Sequence, residues 1–90
     1  RCNQEIADVH LTALRPTWLL PVTEPIEERD KRLYWNGYLT PQVGPERIVS
    51  NWWKEKIARD YYLAVRHDNF RVWIFHDLYS KKWFVHGVFA

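Results

Sequence analysis

The 90-residue sequence has no methionine and a single cysteine, Cys2. One cysteine cannot form an internal disulfide or a thiolate metal cluster, and near a terminus it reads as an ordinary thiol in a reducing compartment. The missing methionine, initiator included, reads as a piece of a longer protein, and the apolar ending Gly87-Val88-Phe89-Ala90 reads as a true C-terminus. Glycine is scarce: Gly37, Gly44 and Gly87 stand far apart, so no glycine-rich loop can cradle a phosphate. No run of about 18 apolar residues exists, which excludes a membrane-spanning helix, and Arg1-Cys2-Asn3 carries no signal pattern. Charge of one sign is lacking too. Thirteen Lys and Arg against 11 Asp and Glu leave +2, too balanced for the basic stripe of a nucleic-acid reader.

What the chain has in quantity is aromatic rings: six Trp, five Tyr and four Phe, 17% of all residues. A chain this short buries roughly 60–65% of its unfolded surface and needs a dense core. Rings that bury about 150–250 Å² each supply one. Six tryptophans exceed what a single-layer core of this size takes, so one or two are expected on a contact surface.

Residues 3–14 fit a short amphipathic helix through Ile6, Val9, His10 and Ala13, with a strand as the competing assignment. Pro21 and Pro25 make Thr17 to Ile26 an edge strand or an extended strap, because proline cannot donate to a ladder. Glu27 to Arg32 reads as a solvated loop. Asn36-Gly37, flanked by Leu33-Tyr34-Trp35 and Tyr38-Leu39, predicts a hairpin turn. Gly44-Pro45 punctuates, Glu46 to Val49 reads as a short strand, and Ser50 to Ile57 as a connector with room for one helical turn. Three strands follow: Arg59 to Arg66, Arg71 to His76 and Lys82 to Phe89. The alternation puts Tyr61, Leu63 and Val65 on one face and Asp60, Tyr62 and Ala64 on the other.

The expected fold is therefore mainly β: a small antiparallel β-meander or partly open barrel of about 5–6 strands, with space for one short N-terminal helix. Residues 1–30 are expected to form an N-terminal strap or linker and residues 31–90 the β domain.

The chemistry-bearing residues do not form a catalytic pattern. His10, His67, His76 and His86 are scattered without ligand spacing. Ser50 and Ser80 lie in connectors with no base-bearing elbow, so neither reads as a nucleophile. No catalytic residue, metal or cofactor is expected. The residues expected to contact a partner are Arg47, Trp52, Trp53, Arg59, Tyr61 and Tyr62, since Trp, Tyr and Arg are enriched at binding hot spots. Each has a plainer reading. The rings could all be core, Arg59-Asp60 a structural corner, and Gly44-Pro45-Glu46-Arg47 a turn with a salt bridge. Rings among Arg and Lys could also stack single-stranded bases, although the balanced charge weighs against it.

The ordered segments Arg15 to Pro21 (R-P-T-W-L-L-P), Gly44 to Ile48 (G-P-E-R-I), Trp52-Trp53, Arg59 to Tyr62 (R-D-Y-Y), Val72 to Phe75 (V-W-I-F) and Trp83 to Ala90 (W-F-V-H-G-V-F-A) together resemble the C-terminal region of ImuB-type proteins. These are Y-family DNA polymerase paralogues of the bacterial mutasome, and the likeness spans roughly residues 15–90. The resemblance implies a non-catalytic, cytoplasmic adaptor of damage-induced, error-prone translesion synthesis. It implies protein partners, a RecA-like companion and an error-prone replicative-type polymerase, with at most weak DNA contact and no membrane. Nucleotidyl transfer needs metal-binding acids that this segment lacks.

Overall fold

The computed structural model describes residues 15–89, and within them every regular element is a strand. In chain order these are β1 (Trp18–Arg29), β2 (Arg32–Tyr34), β3 (Tyr38–Trp52), β4 (Glu55–Arg66), β5 (Arg71–Asp77) and β6 (Lys82–Phe89). Each pairs antiparallel with the next, and β1 returns to pair with β6, so the meander closes into a barrel. The helix expected at residues 3–14 lies outside the described residues.

The inward-facing residues alternate as the pleat requires. Val72 and Ile74 from β5, Val85 from β6 and Ala64 from β4 are fully buried, with Ile26, Leu33 and Leu39 closing the ends of the core. Tyr62 and Trp83 pack partly buried against them. Four of these positions come from the strands that the sequence marks by alternation.

Three expectations need correction. The first concerns Thr17 to Ile26, expected to be an edge strand or strap. β1 is instead an integral wall strand, bonded to β6 at Trp18–Leu19 and Glu24–Ile26 and to β2 at Glu27–Arg29. The β1–β6 register shifts between Leu19 and Glu24, which lifts Pro21 off the ladder, while Pro25 stays opposite Phe84, ahead of the β1–β2 pairing that starts at Glu27. Second, the loop expected at Glu27 to Arg32 is reduced to Asp30-Lys31, both with positive φ (50° and 63°). That is a hairpin turn made without glycine, so its sequence signal is reduced to Asp30.

The third correction matters most for function. Glu46 to Val49 and the supposed connector Ser50 to Ile57 form one long hairpin, with β3 and β4 paired from Leu39↔Arg66 to Trp52↔Glu55 and turning at Trp53-Lys54. Gly44 sits in a bulge of β3, where the register shifts between Val43 and Glu46. The Asn36-Gly37 hairpin forms as expected, but with Tyr34 facing Tyr38 its loop is three residues, Trp35 to Gly37.

Candidate functional site

β5 pairs with β4 only from Arg59↔Asp77 onward. Beyond that point Leu78 N–H donates to the Ala58 carbonyl at 2.8 Å. The rungs Ser50↔Ile57, Asn51↔Lys56 and Trp52↔Glu55 then continue with no third strand among the described residues. The result is a two-stranded ribbon that projects from the barrel. At its tip the Trp53 ring is 78% exposed, with Lys54 Nζ 4.8 Å from the ring centroid, and at its base Val49 is 57% exposed. A two-stranded ribbon in water gains little from its own contacts. This one depends on the barrel at one end and presents a large ring at the other.

At the base, Arg47 and Asp60 face each other across the ladder. The Arg47 guanidinium donates to both carboxylate oxygens, Nε to Oδ1 at 2.8 Å and Nη2 to Oδ2 at 2.9 Å. This fork-to-fork geometry is the strong form of a charge-assisted pair. Asp60 is buried while Arg47 is exposed, so the arginine serves chiefly to neutralise an interior carboxylate. The hydrogen bond from Arg47, then its charge, hold Asp60 below the usual carboxylate range against the cost of burial.

The outward face of β4, β5 and β6 holds a second apolar cluster rather than a wet surface. Tyr61, Trp73 and Phe75 are buried there, with Ile48, Phe84 and Phe89 packed around them. Tyr61 stacks on Trp73 (centroids 4.3 Å), Trp73 stacks on His86 (5.3 Å) and Phe75 on Phe84 (5.3 Å). Two arginines cover the rings: Arg15 lies 5.2 Å from the Trp73 centroid and pairs with Glu46, and Arg59 lies 4.2 Å from Phe75. Arg59 Nη1 also donates to the Tyr61 hydroxyl (3.1 Å), and that hydroxyl shares a hydrogen bond with His86 Nδ1 at 2.8 Å.

The residues expected as contacts thus separate. Trp53 is exposed at the tip, and Trp52 is placed in the last rung beside it. Arg47 and Arg59 are reachable but committed to Asp60 and Tyr61. Tyr61, 4% exposed, supports the outer cluster from beneath, and Tyr62 points the opposite way into the barrel. Neither ring stands open to solvent: Tyr61 is buried and Tyr62 half-buried. Alternation separated them correctly, but it cannot tell that both faces of the strand are covered. Sequence reasoning also missed the exposure of Trp18 (63%), Leu19 and Val22 on β1.

Burial, and then the charge of Arg59, push the His86 imidazole below its usual value. The folded chain therefore binds fewer protons than the unfolded chain near the ordinary imidazole range, and stability falls as pH drops through about 6.5. Asp60 and Asp68 are lowered by their arginines, and at Asp77 burial is outweighed by the hydrogen bonds from Ser80 and Tyr79 together with the charge of Arg59. Their contributions are lost at lower pH, below about 4. A melting curve followed from pH 8 to pH 3 is expected to decline in two stages, and His86→Gln should remove the first. A pH-independent melting temperature between 7 and 5 would contradict the neutral His86.

Among the described residues no three His, Cys, Asp or Glu side chains converge where they could hold a metal ion, and no helix is long and apolar enough to cross a membrane. Fold and site together define a class: a small, all-β, six-stranded antiparallel barrel with a projecting two-stranded ribbon and a ring-packed outer face. Comparison with protein-family models, curated proteins and solved structures gives no match.

Proposed function

We propose that this domain is a non-catalytic docking module of an ImuB-like translesion-synthesis adaptor in the bacterial cytoplasm, engaging a RecA-like companion, an error-prone polymerase, or both. The observation that carries the docking part is the ribbon beyond Ala58, with exposed Val49 and Trp53 on an element that has no third strand among the described residues. Exposed Trp rings are among the commonest anchors of protein interfaces. The mutasome assignment rests on the ordered segments from Arg15 to Ala90 that resemble ImuB-type tails.

The experiment is calorimetry of the domain against each purified protein. Micromolar binding by at least one of them is expected, about −8 kcal/mol, weakened about tenfold or more by Trp53→Ala, a hot-spot-sized loss. The melting temperature of that variant should stay within a few degrees of wild type, because the ring is exposed. A folded domain that binds neither protein contradicts the reading. The alternative is a single-stranded DNA-binding β domain. Tryptophan quenching by an oligonucleotide that weakens steeply with salt would select it, since phosphate contacts release counterions.

A further inference from the structure

The barrel end from which the ribbon projects also has a built opening. The β1–β2 turn and the β5–β6 turn lie side by side there and flank two adjoining grooves that share Glu28 and Trp83. The larger, about 550 Å³, is lined by Lys31, Arg32, Leu33, Leu39, Thr40 and Pro41 as well. The smaller, about 330 Å³, adds Pro25, Ile26, Lys81, Lys82 and Phe84.

We propose that this double groove binds an extended acidic peptide segment carrying one bulky aliphatic or aromatic anchor residue. The inference rests on the reading of the domain as a docking module and names the chemistry of a segment it would take.

The floor is apolar and preformed. Leu33 and Leu39 belong to the core, and the Trp83 ring is held by stacking on His76 (centroids 4.6 Å) and by Tyr62 at 5.5 Å. A pocket that is already shaped does not have to be ordered when the anchor enters. The rim is cationic. A chain with a net charge of only +2 brings Lys31, Arg32, Lys81 and Lys82 to one opening, against the single lining carboxylate of Glu28. Lys31, Lys81 and Lys82 make no ion pair among the described residues, while Arg32 lies over the Tyr38 ring at 4.7 Å. Asp30 stands next to Lys31 in the turn but lines neither groove, and Asp77 is engaged by Ser80. Both Lys31 and Lys81 hold φ near +63°, a conformation that lysine adopts at a cost. Strain of this kind collects at binding sites.

The groove also runs along a sheet edge. β2 bonds β3 only at Tyr38 and Leu39, so from Thr40 onward that side of β3 has no strand beside it among the described residues. Main-chain groups at such an edge suit an extended peptide, which adds as a further strand. A nucleic acid fits less well, because a sugar-phosphate backbone cannot continue the ladder of the open β3 edge as a peptide main chain can.

The test is a two-dimensional NMR titration of the 90-residue chain with three probes: an acidic ten-residue peptide bearing a central Leu, the same peptide with Ala in its place, and an oligonucleotide of equal charge. The Leu peptide is expected to shift the Trp83 indole N–H and the amides of Lys31 and Lys82. The Ala peptide should bind about tenfold more weakly, and so should the Leu peptide to the double variant Lys31→Glu/Lys82→Glu. Both lysines are exposed, so that variant should fold. No shift at Trp83, equal binding to the charge-reversed variant, or preference for the oligonucleotide would overturn the proposal. The docking reading fails separately. If the mutasome proteins bind the charge-reversed variant unchanged while the peptide does not bind wild type, the groove is wrong and docking stands. If the peptide binds and the proteins do not, the groove stands and docking is wrong.

Discussion

Trp73→Ala is expected to remove about 3–5 kcal/mol of stability, the usual cost of deleting a large buried ring. A 90-residue domain has about 5–13 kcal/mol in all, so the variant should be marginal at 37 °C. The ring sits on the outward face of β5, where a reader of strand alternation expects solvent. There it fills the gap between Tyr61 and His86 and carries Arg15 across its face. Its removal leaves a cavity between elements that cannot collapse, because β4, β5 and β6 are locked by their ladders. Urea unfolding followed by far-ultraviolet circular dichroism measures the loss. A change below about 1 kcal/mol, as for an exposed ring, would show that the outer cluster is not a second core.

Gly44→Ala should cost about 3 kcal/mol or more, from two independent sources. The residue has φ +126°, where a side chain is strained, and an added Cβ would lie 2.6 Å from the Tyr61 carbonyl oxygen and 3.1 Å from Tyr62 Cα. Backbone cannot yield there without disturbing the bulge that sets the register of the upper β3–β4 hairpin. The substitution therefore acts on the ribbon as well as on stability. Hydrogen exchange should quicken at Arg47 to Trp52 before it quickens in β5. A shift in melting temperature of less than a few degrees, with unchanged exchange in the ribbon, would contradict this account of Gly44.

Much of the fold was legible because local signals and tertiary structure agree. Val72, Ile74 and Val85 alternate with polar or aromatic neighbours, and the turns at His67 to Asn69 and Leu78 to Lys81 separate strands of ordinary length. The Asn36-Gly37 turn announced itself through residues that tolerate positive φ. What was illegible has physical reasons. The turns at Asp30-Lys31 and Trp53-Lys54 contain no glycine, asparagine or proline, so their local signal is weak. Closure of β1 on β6 joins residues far apart in sequence, and no local pattern encodes it. Tyr61 and Tyr62 were correctly assigned to opposite faces. That the face bearing Tyr61 is dry depends on Ile48, Arg59 and Phe84 arriving from three different strands. Trp53 was singled out only by residue type. Its exposure follows from β4 outrunning β5.

The central claim is that the ribbon formed by Ser50 to Ile57 is the docking element. Hydrogen exchange of the domain, alone and saturated with the protein partner that binds it, tests that claim most directly. Protection is predicted to rise at Val49 to Ile57, with little change on β1. Protection confined to Trp18 to Val22, with the ribbon exchanging as fast in the complex as in the free domain, would contradict it.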